Sequence, residues 1–75
     1  MFELPDHWAE YLTSQPESGM GYWIVSVRLA DGRQFDRVVI NGGVVTQVYG
    51  HNSVPFDADQ ITELWVTHDR WQFNR

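Results

Sequence analysis

The residues of this chain with the widest chemical range are three histidines, His7, His51 and His68. Histidine moves protons or holds a metal near neutral pH, given partners at a fixed spacing. His7 precedes Glu10 by three residues, which puts both on one helix face in a spacing that can hold a metal. A metal needs a third and a fourth ligand, and the sequence does not show them. The pair reads as a solvated helix surface. His51 lies in the loop Gly50-His51-Asn52-Ser53. Loops carry function more often than strands, but a polar turn residue explains it as well. Asp69 follows His68 and could set its tautomer, yet neighbouring strand residues point to opposite faces. Gly-x-Ser-x-Gly, cysteine and a glycine-rich phosphate loop are all missing. The acids are scattered, and no carboxylate pair forms a general acid/base couple. The expectation is a protein that is not an enzyme, with no metal site and no cofactor.

Two other features could support binding. Arg37 falls on an otherwise apolar strand face in the registers derived below. It is either an edge-of-core arginine that snorkels outward or an anion contact in a shallow groove. The chain also carries four Trp, three Tyr and four Phe in 75 residues. That is more ring area than one small core hides completely, and such residues are enriched where proteins meet. The alternative is that the rings staple a small core. The candidate interaction surface is Arg37, Tyr49, His51, Trp65, Trp71 and Phe73.

The elements that position these residues follow from turn chemistry. Pro5–Ser14 reads as a short helix, with proline in the first turn and Leu4, Trp8, Tyr11 and Leu12 on one stripe. So short a helix needs tertiary support. Strands follow at 22–29, 33–40, 44–49 and 62–68. A two-residue Asp31-Gly32 loop would pair Val27 with Asp36, and a three-residue loop with Gly32 in a left-handed bulge pairs Val27 with Phe35; the second sorts the apolar side chains better. A type I′ Asn41-Gly42 turn pairs Val39 with Val44, Arg37 with Thr46 and Phe35 with Val48. The predicted core face is Trp23, Val25, Val27, Phe35, Val39, Val44 and Val48. Asp57 caps one helical turn flanked by Phe56 and Ile61, and Trp71 and Phe73 alternate as a short fifth strand or edge cover.

The predicted fold class is α+β: a short N-terminal helix, then a four- to five-stranded antiparallel meander. It forms a curled sheet or a small barrel. A three-strand meander, one helical turn and a last strand over Tyr22–Val66 resembles the SH3-like and Sm-like barrels. The resemblance is architectural and implies no function.

Composition bounds the rest. One domain of this size buries only about 60% of its unfolded surface, and no disulfide is available to help. The net charge is −5, with five Arg and no Lys, which argues against direct nucleic-acid binding. No apolar run approaches the roughly 20 residues of a membrane helix, and no targeting segment is visible, so the cytoplasm is the default. The leading expectation is a non-enzymatic protein-interaction or oligomerisation module, bacterial by size alone. The alternative is a nucleic-acid-related small-barrel protein, or an acidic inhibitor of a nucleic-acid-binding protein.

Overall fold

The structure, a computed structural model, describes residues 2–67. Within them the chain forms β1 (Phe2–Glu3), α1 (Asp6–Thr13), β2 (Tyr22–Leu29), β3 (Gln34–Asn41), β4 (Val44–Val48), a 3-10 turn (Ala58–Gln60) and β5 (Ile61–Val66). The strands make one antiparallel sheet in the order β1-β4-β3-β2-β5. It curls over α1 as a half-barrel, whose two edges are β1 and β5. The expected α+β class is what the chain adopts. One element was not expected: a two-residue strand precedes the helix and pairs with β4, Phe2 with Val45 and Glu3 with Val44. The predicted tail strand, with Trp71 and Phe73, lies outside the described residues.

Helix α1 starts where proline permits it. Pro5 has φ −54°, and its carbonyl accepts the N–H groups of Trp8 and Ala9 at 3.0 and 3.1 Å. The end is closed by the Ser14 hydroxyl, which donates to the Tyr11 carbonyl at 2.7 Å. Leu4 and Leu12 are buried in the core, with Trp8 and Tyr11 packed against it. The apolar stripe therefore docks on the sheet as expected. A cross-tie holds it there: the Trp23 indole N–H donates to the Gln15 carbonyl at 3.1 Å. Trp8 Nε1 is buried with no hydrogen-bond partner, a state that costs about 1–3 kcal/mol.

The first hairpin has the expected register, with Val27 opposite Phe35 and Arg28 opposite Gln34. Gly32 sits at φ +91°, and the Leu29 N–H reaches the Arg33 carbonyl at 2.8 Å. The second hairpin does not follow the sequence reading. Its turn is Gly42-Gly43, both with positive φ, and Asn41 rather than Val39 pairs with Val44. Beyond the turn Ile40 faces Val45 and Val38 faces Val48, with an extra residue, Thr46, between them. On the β2 side Val25 pairs with Val38 and Val27 with Phe35, so Ser26 alone faces both Asp36 and Arg37.

The shifted turn and the bulges change the inward set on β3 and β4, while Val25, Val27 and Val48 lie in the core as expected. A residue added to one strand moves every later side chain to the other face. The core comprises Val25, Val27, Leu29, Val38, Ile40, Val45 and Val48, closed by Leu4, Leu12, Phe56, Ile61 and Leu64. Trp23 and Phe35 pack against it half-buried. Val39 and Val44 were expected in this core and are not in it. Val39 pairs with Ile24 on the opposite face, where both are buried. Phe56 and Ile61 close the core from either side of the 3-10 turn, as expected, and Gln60 Oε1 accepts the Asp57 N–H at 2.7 Å.

Candidate functional site

The bulge in β3 builds the most unusual corner of the molecule. Arg37 has φ +55°, and among the described residues it is the sole non-glycine with positive φ. A left-handed conformation costs an L-residue about 1–2 kcal/mol, so the surroundings must hold it. Two groups do. The buried Ser26 hydroxyl donates to Asp36 Oδ1 at 2.8 Å, and Gln34 Nε2 donates to the same oxygen at 3.0 Å. These bonds fix the residue before Arg37. The Arg37 carbonyl then accepts the Tyr49 N–H at 3.1 Å, which ties the bulge to the end of β4.

The side chain follows the backbone. Arg37 is exposed and does not lie on the apolar face to which the simple register assigned it. Its guanidinium carbon stands 5.1 Å from the centroid of the Tyr49 ring, a cation–π distance. Tyr49 is 48% exposed. Two residues away on each chain segment a second contact forms. The Phe35 ring meets His51 edge to face at 5.5 Å and Phe56 at 5.3 Å. Arg33 lies 5.9 Å from the Phe35 ring. The corner thus carries two neighbouring contacts, Arg37 on Tyr49 and Phe35 between Arg33 and His51, of which the second rests on the buried Phe56.

The charges in this corner are not equivalent. Arg33 Nε donates to Asp31 Oδ2 at 2.8 Å. The Asp31 carboxyl is held below its usual value chiefly by the Arg33 backbone N–H, with the Arg33 side chain adding to it against an opposing desolvation. Arg28 pairs with Glu63 at 3.4 Å. Arg37 makes no ion pair among the described residues. The Asp36 carboxyl, also held low by its bonds from Gln34 and Ser26, therefore stays ionised at the bulge without contacting Arg37.

Of the six residues proposed from sequence, the structure brings together Arg37, Tyr49 and His51. Trp65 stands elsewhere: it pairs with Ser26 and lies under Arg28, 5.8 Å from the guanidinium carbon. Trp71 and Phe73 lie outside the described residues, as does His68. Arg33 and Phe35 belong to the corner but were read only as turn and core. The signal that could have found them is the sequence Phe35-Asp36-Arg37-Val38, where apolar spacing changes from two to three. His7 is exposed on α1 with its ring 4.6 Å from that of Trp8. Among the described residues no group of three His, Cys, Asp or Glu could hold a metal ion.

A cavity of about 310 Å³ lies at the far end of the sheet, lined by Ala9, Leu12, Thr13, Trp23, Gly42 and Gly43. It is almost wholly apolar and brings no titratable side chain to its wall. No helix among the described residues is long and apolar enough to cross a membrane. Compared with known proteins, the chain matches no family model, no curated protein and no solved structure.

Proposed function

We propose that this chain is a non-catalytic protein-interaction module whose contact surface is the corner formed by Arg33, Phe35, Arg37, Tyr49 and His51. The observation that carries this reading is the bulge at Arg37. A strained left-handed arginine is stacked on a half-exposed tyrosine rather than replaced by glycine. Backbone strain of this kind gathers at ligand clamps and contact sites. Arginine and tyrosine are also the side chains most enriched at the centres of protein interfaces. Phe35 rests on the buried Phe56, so the corner offers apolar area at low entropic cost.

The acidity of the chain supports the alternative of an acidic inhibitor that mimics nucleic acid. The interaction reading is preferred because the corner contains the arginines of β3 and its turn rather than a row of acids. The test compares the wild type with Tyr49→Ser. Solution mass is measured over a concentration series, together with recovery of a stoichiometric protein partner from the source lysate. Self-association or partner capture that is lost in Tyr49→Ser supports the reading. A monomeric protein whose captured partners are the same with and without Tyr49 refutes it.

A further inference from the structure

We infer that Arg37 receives a single carboxylate, the Asp or Glu side chain of an acidic segment on the partner protein. This rests on the interaction reading and names its chemistry. Each arginine among the described residues stacks on a ring, but the three differ in charge balance. Arg28 faces Glu63, Arg33 faces Asp31, and Arg37 has no carboxylate. The nearest acid in sequence, Asp36, accepts at its Oδ1 from the Ser26 hydroxyl and the Gln34 amide instead. Neutral donors thus hold one oxygen of the acid beside Arg37, and among the described residues no carboxylate pairs with the Arg37 guanidinium.

Geometry narrows the ligand further. The Tyr49 ring covers one face of the guanidinium, and backbone pairing between Arg37 and Tyr49 holds the two strands together at that point. A stacked guanidinium still offers its donor edge, which matches a planar carboxylate in a bidentate pair. The available charge is a single positive unit. Recognition of a phosphate relies on clustered arginines, and here the neighbouring Arg33 is already paired with Asp31. The net charge of −5 repels any anionic segment at long range. At physiological salt that long-range repulsion is screened beyond roughly 8 Å, so a local carboxylate pair can form on an acidic molecule.

The experiment is a titration of the full ¹⁵N-labelled chain with a tetraglutamate peptide blocked at both ends, followed at the Arg37 Nε–H and Tyr49 amide signals. The expected result is a saturable shift at both, absent with blocked tetraglutamine. Arg37→Gln and Arg37→Gly should each weaken binding about tenfold or more. The glycine variant accepts the positive φ, so it keeps the fold while removing the guanidinium. Binding unchanged in both variants overturns the inference. So does tighter Arg37-dependent binding of a phosphoserine peptide of equal net charge. If Tyr49→Ser abolishes partner capture while tetraglutamate leaves the Arg37 signal unmoved, the carboxylate assignment falls and the contact surface stands.

Discussion

The backbone of Arg37 can be tested apart from its side chain by comparing Arg37→Gly with Arg37→Ala. Both variants lose the same stack on Tyr49, a contribution of about 0.5–1 kcal/mol at an exposed site. They differ in how they tolerate φ +55°. Alanine retains the left-handed strain of about 1–2 kcal/mol. Glycine removes it and instead loses about 0.5–1 kcal/mol through the greater freedom of its unfolded chain. The glycine variant should therefore be the more stable by about 0.5–1 kcal/mol and should lie near the wild type. In a domain of this size that difference moves the melting temperature by roughly 2–8 °C. Urea titration or thermal melting followed by tryptophan fluorescence reads it directly. At an ordinary strand position the sign is opposite, since glycine there is less stable than alanine. An alanine variant equal to or more stable than the glycine variant would show that Arg37 is not left-handed, and the bulge would have to be redrawn.

Further expectations follow from the same structure. Val38→Ala should cost about 2 kcal/mol, because two buried methyl groups are lost at about 0.8 kcal/mol each with some cavity added; Val44→Ala should cost less than about 1 kcal/mol, and a reversed order in denaturant melts would restore the unbulged register. Trp8→Phe keeps a ring in place of the indole but removes the buried unpaired N–H, so denaturant melts should show stability equal to or above wild type. The hydrogen bonds from Gln34 and Ser26 hold the Asp36 carboxyl below the ordinary aspartate value of 3.8 in the folded chain, so its contribution is present above pH 3.8 and lost as pH falls through the lower folded value. Asp36→Asn should flatten the fall of stability in that acid window, and an unchanged slope would exclude the Ser26 and Gln34 bonds as its cause. Duplex DNA should not bind at micromolar protein in low salt, since ten acids outweigh five arginines; anisotropy showing salt-dependent micromolar binding would contradict this.

Local chemistry in the sequence determined a good part of this protein. Pro5 and the stripe Leu4, Trp8, Tyr11 and Leu12 specify a short docked helix. Gly32 narrows the first hairpin to two registers, and the sorting of apolar side chains along the two strands selects the one with Val27 opposite Phe35. Alternation in β2 specifies Val25, Val27 and Leu29 as inward. These features depend on a few adjacent residues, and so they are legible without the fold. The second hairpin is different. Asn41-Gly42 and Gly42-Gly43 are both acceptable I′ turns, and the burial of Ile40 and Val45 in the core goes with the second. The bulges at Arg37 and Thr46 are likewise tertiary decisions. Straight strands would put Arg37 in the core and leave Val38, Ile40 and Val45 outside. The Gly42-Gly43 turn together with the residues added at Arg37 and Thr46 places Val38, Ile40, Val45 and Val48 on the core face, and the burial gained exceeds the strain at one left-handed residue. The inward arginine that the simple register required was thus the mark of the bulge. Its stack on Tyr49 and the contact of Phe35 with His51 exist only because the curled sheet brings the ends of β3 and β4 together, and no spacing along the chain encodes that meeting.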